Sequence, residues 1–416
     1  MTIKKIKVTN FKSFKNMEIE LGDLNVLIGP NASGKSNFVE IFRFLRDIAT
    51  HGLDNAVSLQ GGIDFLRNVK IGSSEGFSMQ ITYDSKSMSA IGVRGRSIGV
   101  KTLEMIYEFC ITSTEEGDLE ISRDDLTATY DFFRLPDNWP HENTETLQEN
   151  LGSGRIKLSN VEGKIEMNLD LPERDSIRDI FPLFLTEIKM PARALFLETP
   201  FFETIPPFGN LFDDISLYDF DPKLPKRGAP ITGKMELDDN GTNLAIVLKN
   251  ILDNKEKKRK FVNLLKDVLP FLDELEVEKF MDKSLILKAS EIYAPNYFPA
   301  SFLSDGTITI TALILVLYFE QKPIIIVEEP ERNIHPFLIS KVMGMFKEAS
   351  KKKQIIITTH NPEIVRFADL KDILLISREK EGFSVVSRPG EKKGVKTFLE
   401  HEIGVEELYI QNLLGV

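Results

Sequence analysis

This sequence has almost no cysteine, no long apolar run and no excess of basic over acidic residues. Cys110 is the single cysteine, which excludes an internal disulfide and fits a reducing compartment. The longest apolar run, 312–319, is much shorter than the roughly 20 residues that a membrane helix needs. The chain begins at once with alternating strand residues and has no apolar signal-peptide core. We therefore expect a cytoplasmic protein with no membrane partner.

Acidic residues outnumber basic ones, 63 to 52, which gives a formal charge of −11. No global field therefore draws the chain to nucleic acid, and any DNA contact would need a local basic patch that touches phosphates. Three basic runs occur: Lys4, Lys5, Lys7, Lys12 and Lys15; Lys255, Lys257, Lys258, Arg259 and Lys260; and Lys351, Lys352 and Lys353. A solvated face is the simplest interpretation of each run, because no aromatic residues are interleaved for base stacking.

Residues 29–36 fit the phosphate-loop pattern G-x-x-x-x-G-K-[ST] in full. The apolar run 24–28 before them predicts a buried strand, and apolar residues spaced by three and four over 38–45 predict a helix after them. This strand–loop–helix context is what the motif requires for nucleotide binding. The residues predicted to bind ATP here are Gly29, Pro30, Asn31, Ala32, Ser33, Gly34, Lys35, Ser36 and Asn37.

Each residue type in this loop suits a polyphosphate. Gly29 and Gly34 allow the backbone to curl until its N–H groups point at one spot, next to the positive end of the helix dipole. Lys35 is expected to reach the β- and γ-phosphates, and the Ser36 hydroxyl is expected to bind Mg²⁺. ATP and Mg²⁺ are therefore the predicted cofactors.

Two further strands supply the other half of the predicted site. The run 323–327 leads into Glu328 and Glu329, and the run 355–359 leads into His360. Parallel α/β sheets place ligand chemistry at the carboxyl ends of their strands. We predict that Glu328 holds Mg²⁺, that Glu329 orients and deprotonates the attacking water, and that His360 hydrogen-bonds the γ-phosphate. Without a phosphate loop in the same chain, the two acids would indicate a solvated turn, and the histidine would indicate an ordinary residue at a strand end.

The rest of the chain gives a coarser map. Residues 77–170 alternate like an antiparallel β region, and Cys110 lies there in a run that predicts a core thiol. After residue 320, strands and helices alternate as in a parallel α/β core. The remaining predictions are a loop-rich stretch over 49–76, a mobile loop over 135–150, an irregular stretch over 172–235, and helices over 243–252 and 261–275.

Four motifs resemble, in order and spacing, those of the ABC-type ATPases: the loop 29–36, Leu-Ser-Asp-Gly-Thr at 303–307, Glu-Glu-Pro-Glu-Arg-Asn-Ile-His-Pro at 328–336, and Thr-Thr-His-Asn-Pro at 358–362. The nearest branch contains the SMC, RecF-like and OLD ATPases. Asn-Phe-Lys-Ser-Phe at 10–14 and Asp-Asn-Gly-Thr-Asn-Leu at 239–244 are also similar to that branch. The resemblance implies an α/β P-loop NTPase fold of the ABC-type head: a mixed parallel sheet, an antiparallel β region and a more helical second lobe.

In this family the signature motif, here 303–307, acts across a dimer. Ser304 and the Gly306 N–H of one subunit would touch the γ-phosphate that Lys35 of the other subunit holds. A serine, an aspartate and a glycine at a helix start also make a favourable anion site in their own right. The resemblance therefore implies a homodimer that forms on ATP binding.

The resemblance also implies local structure and lobes. Residues 307–311 alternate like a strand, whereas the family has a buried helix over 308–319, and we follow the family. Residues 331–336 would form the D-loop, in which His335 is expected to be structural. The implied segments are 1–200 and 320–416 for the nucleotide-binding lobe, and 201–319 for the helical lobe that ends in the signature.

Three departures from the family pattern matter. No basic residue follows Thr307, so a role for that charge is not carried over. The Q-loop glutamine could be Gln60, Gln80 or Gln148. The chain has no sustained heptads for a coiled-coil arm and, after His360, no acidic cluster of the kind found in Toprim domains, so we expect no nuclease activity.

Two functional hypotheses follow. The first is a Mg²⁺-dependent ATPase whose two subunits close on ATP, acting in DNA repair or in defence against mobile elements. The second is a regulatory module in which ATP gates binding to a separately encoded effector, a toxin or a nuclease. A transporter ATPase and a small-molecule kinase fit less well, because the former lacks the 10–14 motif and the latter does not need 303–307.

Overall fold

The computed structural model describes residues 2–84, 88–93, 96–113, 119–135, 149–173, 177–181, 186–191, 193–199, 212, 215–280, 283–392, 394–395 and 404–414. The chain divides into two units. The first contains 1–21, 37–214 and 378–386, and the second contains 22–36, 215–377 and 387–416.

Strands and helices are numbered in chain order over the described residues. The strands are β1 (Thr2–Phe11), β2 (Phe14–Glu20), β3 (Leu24–Ile28), β4 (Phe77–Asp84), β5 (Met88–Val93), β6 (Arg96–Ser113), β7 (Leu119–Arg134), β8 (Glu149–Val161), β9 (Lys164–Asp170), β10 (Ile215–Tyr218), β11 (Ala229–Pro230), β12 (Leu272–Phe280), β13 (Ser284–Glu291), β14 (Ala294–Pro299), β15 (Ile324–Glu328), β16 (Gln354–Thr359), β17 (Ile373–Arg378) and β18 (Ser384–Ser387). The helices are α1 (Lys35–His51), α2 (Leu53–Leu59), α3 (Ile63–Leu66), α4 (Leu244–Leu252), α5 (Lys255–Val268), α6 (Asp305–Tyr318), α7 (Pro336–Ala349), α8 (Pro362–Phe367) and α9 (Val405–Ile410).

The first unit is built on an antiparallel sheet in the order β2-β1-β4-β6-β7-β8-β9, with β5 paired to β6. The antiparallel region predicted over 77–170 is therefore confirmed. Phe109 and Ile111 of β6 face the core, so Cys110 between them points to the opposite face and is only half-buried. The prediction of a core thiol is wrong for this reason.

The motif at 10–14 has a structural role in the first unit. Asn10 is fully buried with φ +54, and its amide donates to the carbonyls of Gly72 and Glu75 at 3.1 and 2.8 Å. Its Oδ1 accepts from the Asn68 N–H at 3.0 Å. Asparagine tolerates this left-handed backbone better than most residues do, so Asn10 can tie the stretch 68–75 to the end of β1.

The second unit is built on parallel strands in the order β10-β15-β16-β3-β17. All six residues of β16 and all five of β3 are buried, as expected for a parallel sheet covered on both faces. β3 comes from the start of the chain and pairs with two strands from its end. The boundaries of the two units therefore differ from those of the predicted segments 1–200, 201–319 and 320–416. Those segments stay a prediction of which residues form each lobe.

Residues 49–76, predicted to be loop-rich, also contain α2 and α3, joined by a turn at Gly61 and Gly62, both with positive φ. One predicted helix is wrong at both ends. The helix predicted over 261–275 is α5, which begins earlier because the Asn254 side chain accepts from two N–H groups of its first turn. Residues 272–275 belong to β12, whose apolar residues gave a helical spacing by coincidence.

Helix α6 resolves the ambiguity at 307–311 in favour of the family. Its residues are buried from Gly306 to Leu317, so a strand-like alternation of threonine and isoleucine carries no surface signal there. Two threonine hydroxyls are satisfied within the helix, Thr309 by the Asp305 carbonyl at 3.1 Å and Thr311 by the Thr307 carbonyl at 2.9 Å. Because of these bonds, neither buried hydroxyl is left without a hydrogen-bond partner.

The segment 201–319 is helical in α4, α5 and α6 but also carries a small antiparallel sheet of β11, β13, β12 and β14. The stretch 172–235 is mostly irregular in its described residues, as predicted. Of the loop predicted over 135–150, residues 136–148 lie outside the described residues. None of the helices in the described part of the chain has the length and apolarity to cross a bilayer.

Asp124 on β7 is a carboxyl buried inside the first unit. It accepts hydrogen bonds from the Tyr107 hydroxyl at 2.7 Å, the Asn160 amide at 3.2 Å and the Phe196 N–H at 2.9 Å. Burial raises the pKa of Asp124 from 3.8 to about 7, although the three hydrogen bonds act in the opposite direction. The folded carboxyl therefore stays protonated at pH values where an unfolded chain would ionise it.

We predict that Asp124 makes the stability of the protein pH-dependent. Its contribution is full below pH 3.8 and is lost as the pH rises through about 7. From about pH 5 to about pH 8 the free energy of unfolding should fall by roughly 2–3 kcal/mol, a change that Asp124→Asn removes. Urea denaturation across this range measures it. Asp170→Asn, which alters an exposed carboxylate at the end of β9, is the control. The same pH dependence in wild type and Asp124→Asn would contradict the prediction.

Candidate functional site

Except for Asn37, all the residues of the predicted site lie in the second unit. Loop 29–36 follows β3, Glu328 ends β15, and His360 follows β16. Thr359 pairs with Ile28, and Glu328 pairs with Thr358 across neighbouring parallel strands. The carboxyl ends of the three strands therefore meet at one edge of the sheet, as the sequence predicted.

The start of the phosphate loop is held close to β17. A side chain at Gly29 would place its Cβ 2.4 Å from the Ile376 carbonyl oxygen and 2.7 Å from the Ser33 hydroxyl. Glycine is therefore required there by close approach. Further along, Ala32 and Gly34 have positive φ values of 60° and 116°, which turn the backbone into α1.

Lys35 lies inside this loop and is buried. Its Nζ donates to the carbonyl oxygens of Gly29 at 2.8 Å and Pro30 at 3.1 Å. Burial lowers the pKa of Lys35, while the carboxylates of Glu329 and Glu331 counteract it. The ammonium group is thus held at the centre of the loop by two carbonyls that a polyphosphate could replace.

Ser36 and Glu328, the predicted magnesium ligands, are an exposed hydroxyl in the first turn of α1 and a half-buried carboxylate. The described residues hold no group of three or more His, Cys, Asp or Glu that could bind a metal by themselves. Mg²⁺ in phosphoryl-transfer sites takes one or two protein ligands, with phosphates and water completing its shell, so this pair fits it. The Asn37 amide instead donates to the Ser13 hydroxyl at 2.8 Å within the first unit.

Glu329 and His360 are brought into direct contact. Glu329 Oε1 lies 2.7 Å from His360 Nδ1. Glu329 has a left-handed backbone, with φ +43, and its N–H donates to the Thr358 carbonyl at 2.9 Å. A left-handed glutamate is uncommon, and such strain is concentrated at functional sites. With Nδ1 used in this way, Nε2 is the ring nitrogen that could contact a phosphate.

Arg332 joins this pair, and the sequence analysis did not single it out. Its guanidinium donates to Glu329 Oε2 at 2.9 Å and to Asp219 at 3.0 Å. Burial raises the pKa of Glu329, but the hydrogen bonds from Arg332 and His360 outweigh burial and hold that pKa below its ordinary value. Glu329 is therefore a carboxylate at neutral pH. The sequence carries one signal for Arg332, its position three residues after Glu329.

Glu331 is a different kind of carboxyl although it is only two residues away. It is 7% exposed and accepts from the Thr359 hydroxyl, and burial raises its pKa above the ordinary value. The Thr359 oxygen also accepts from the Asn361 N–H at 2.9 Å. Glu331 thus fixes the D-loop to the end of β16 beside His360.

The signature motif lies at the start of α6. Ser304 is exposed and caps the helix, its Oγ accepting from the Thr307 N–H at 3.1 Å. Gly306 is buried against the D-loop, where a Cβ would lie 2.5 Å from the Asn333 carbonyl oxygen. Ser304 is thus presented outward, while Gly306 packs the helix start onto 331–336.

Lys226 also contacts the signature, and no sequence pattern indicated it. Its Nζ donates to the Leu303 carbonyl at 2.7 Å and forms an ion pair with Asp305. The family pattern has a basic residue after Thr307, which this sequence lacks. The structure instead places a positive charge beside the signature from a segment almost eighty positions earlier.

Other predicted residues have local roles. His335 caps α7, its Nδ1 accepting from the Phe337 N–H at 3.2 Å, which is the structural role expected for it. Of the Q-loop candidates, Gln60 donates to Glu40 at 2.7 Å and Gln80 to Glu108 at 3.3 Å, all within the first unit. Gln148 lies outside the described residues.

A glycine-rich loop between a buried strand and a helix, with acids and a histidine on neighbouring strand ends, defines a P-loop nucleotide-binding ATPase fold. A family model described as "AAA domain, putative AbiEii toxin, Type IV TA system" matches residues 24–366. The chain belongs to this family. The P-loop ATPase class expected from the sequence is confirmed, while its assignment to the ABC-type, SMC-like branch stays a prediction.

Solved structures similar to this chain include three SMC heads. They are the SmcHead bound to the C-winged helix domain of ScpA (18% identity, 93% of this chain and 98% of that chain, TM-score 0.47), the SMC head domain from Thermotoga maritima (15%, 93% and 99%, 0.44), and the Smc head domain with an extended coiled coil bound to the C-terminal domain of ScpA derived from Pyrococcus furiosus (14%, 96% and 99%, 0.45). No curated protein sequence matches the chain.

We predict that Gly306→Ala disturbs the packing of the signature on the D-loop. Its Cβ would meet a backbone oxygen, which cannot rotate away, so the free energy of unfolding should fall by roughly 1–3 kcal/mol. Urea denaturation measures this. Gly344→Ala is the matched control, because Gly344 is an exposed residue in α7 whose Cβ would meet nothing within 4 Å. That control should be neutral or gain up to about 1 kcal/mol. Equal stability of both variants would refute the predicted clash.

Proposed function

We propose that the chain is a Mg²⁺-dependent ATPase whose two subunits close head to tail on two ATP molecules and open after hydrolysis. The observation that carries this proposal is the contact between Glu329 and His360 at the edge of the sheet that holds loop 29–36. It supplies an ionised carboxylate and an imidazole at the place where parallel α/β sheets bind their ligands. The proposed place of action is the cytoplasm.

The proposed reaction is attack of water on the γ-phosphorus. A new P–O bond forms while the bond to the β-phosphate oxygen of ADP breaks, and the proton of the water goes to Glu329. Lys35 and His360 stabilise the charge on the phosphoryl oxygens. Ser36 and Glu328 would hold Mg²⁺, which would supply further positive charge to the phosphates. Little covalent chemistry is asked of the protein, so positioning and electrostatics carry the rate.

The dimer completes the site in this proposal. Ser304 is exposed at the start of a helix of fourteen residues, where the helix dipole favours an anion. The Gly306 N–H belongs to the same helix start. We propose that these two groups contact the γ-phosphate held by Lys35 of the other subunit.

We predict that Glu329→Gln binds ATP and accumulates as a dimer with little turnover. Loss of the general base should lower the rate roughly 100-fold or more, while the amide keeps the size of the side chain. ATP turnover and solution mass by light scattering measure the two effects. Glu379→Gln removes the same charge from an exposed position and should behave as wild type. A Glu329→Gln protein that stayed monomeric and kept full turnover would reject the mechanism.

A role in DNA repair or defence requires a surface for DNA phosphates. Lys353 and Lys260 donate to backbone carbonyls at the C-terminal end of α6, so part of the basic runs is structural. In the basic run at the start of the chain, the positive charges of Lys5 and Lys7 are compensated because both pair with Glu18. Exposed basic residues remain at the start of α5 and after α7: Lys255, Lys257, Arg259, Lys351 and Lys352.

We predict that replacing Lys255, Lys257 and Arg259 by alanine weakens DNA binding. For every phosphate that a removed side chain had neutralised, the slope of log K against log salt should fall by about 0.9. Fluorescence anisotropy with duplex DNA at several salt concentrations measures the slope. Alanine at the acid-paired Lys5 and Lys7 is the control and should change it little. If the affinity of the wild-type protein for DNA did not change with salt concentration, or if the triple variant kept the wild-type slope, this surface would be excluded as the DNA-binding site.

A second candidate function is ATP-gated binding of a separately encoded effector, with hydrolysis only resetting the complex. The family description, which names a toxin and a toxin–antitoxin system, favours it. A neighbouring gene that encodes a toxin or a nuclease would identify the effector. Gel filtration of the co-expressed pair should then show a complex that depends on ATP, and a complex indifferent to ATP would contradict gating.

A further inference from the structure

The segment 404–414 reaches the nucleotide site from outside the stretch that the family model matches, 24–366. Leu408 of α9 and Leu414 are buried in the apolar core of the second unit, and Arg366 of α8 lies 4.0 Å from Glu406. These contacts fix the segment against the sheet edge. Nothing in the sequence patterns marked it.

Tyr409 on α9 touches two parts of the candidate site at once. Its hydroxyl lies 3.3 Å from the Gly29 carbonyl oxygen and 3.5 Å from the His360 carbonyl oxygen. A tyrosine hydroxyl has one proton to donate, so the two carbonyls share one donor. Burial raises the pKa of Tyr409, so the hydroxyl keeps its proton at neutral pH.

In the described part of the chain, Tyr409 and the Lys35 ammonium, the latter at 2.8 Å, both donate to the Gly29 carbonyl. A triphosphate that draws Lys35 Nζ onto its β- and γ-oxygens takes the charged donor away from this carbonyl. Gly29 is buried, so its carbonyl would then depend on Tyr409 for a hydrogen bond. A buried acceptor without a donor carries a desolvation penalty that falls only on the nucleotide-bound state.

We propose that Tyr409 is a positioning residue for the phosphate loop. Its hydroxyl satisfies the Gly29 carbonyl when Lys35 leaves it for a triphosphate, and holds that carbonyl close to the backbone of His360. The inference rests on the proposed function, since it requires ATP to bind to loop 29–36. It assigns part of the ATP affinity to a segment that does not touch the phosphates.

The test is Tyr409→Phe, which keeps the ring and its packing and removes only the hydroxyl. In a Glu329→Gln background, calorimetric titration with Mg-ATP should show a dissociation constant about tenfold higher than that of Glu329→Gln alone. With Glu329 present, the KM for ATP should rise by a similar factor, while kcat stays within about twofold. A variant that had only lost folded structure would not raise KM while leaving kcat unchanged.

Tyr318→Phe is the matched control. The Tyr318 hydroxyl also donates to an oxygen within the second unit, Glu348 Oε2 at 2.7 Å, away from the phosphate loop. This variant should leave the ATP dissociation constant unchanged. An unchanged dissociation constant in Tyr409→Phe, or a fall in kcat at constant KM, overturns the inference. Failure of the wild-type chain to bind ATP would instead defeat the proposed function on which the inference rests.

Discussion

The parallel pairing of β3 between β16 and β17 is the constraint on which the rest of the second unit depends. It brings a strand from the first thirty residues between two strands from the C-terminal part of the chain, with Thr359 opposite Ile28 and Leu375 opposite Ile28 on the other side. Because all these strands run in one direction, the groups that follow them collect at one edge. The phosphate loop, Glu329 and His360 owe their proximity to this register and not to their distance along the chain.

At that edge, the pKa values of two carboxyl groups only two residues apart are shifted in opposite directions by their surroundings. Glu329 is hydrogen-bonded by a guanidinium and an imidazole, and these hold its pKa low. Glu331 is buried against a neutral hydroxyl, and burial raises its pKa. One short turn after β15 therefore carries one carboxyl whose ionised form is favoured and a second whose neutral form is favoured and which anchors the turn.

Much of this arrangement could be predicted from the sequence, because its signals are local. The loop 29–36, the acids after β15 and the histidine after β16 each follow an apolar run, and the sequence places them all at strand ends. Arg332, Lys226 and Tyr409 could not be found in this way, since each acts through a contact made only after folding. Lys226 meets the signature from a separate segment, and Tyr409 meets Gly29 across the length of the chain.

Hydrophobic periodicity has a different limit, because it reports only which face of an element is buried. It left α6 ambiguous, since the threonines of α6 are buried with the apolar residues and are satisfied by carbonyls one turn earlier. At 272–275, apolar residues of a half-buried strand fall by chance on a helical spacing. Cys110 belongs to a strand that is apolar on average but has one face toward solvent.

The position of β3 also has a consequence for synthesis of the chain on the ribosome. The strands β6, β7, β8 and β9 pair with their sequence neighbours and can meet soon after they emerge. The first neighbour of β3, β16, is made only at residues 354–359 and the second, β17, only at 373–378, so the apolar strand before the phosphate loop has neither partner through most of elongation. The sheet edge that carries the phosphate loop is therefore completed only near the end of synthesis.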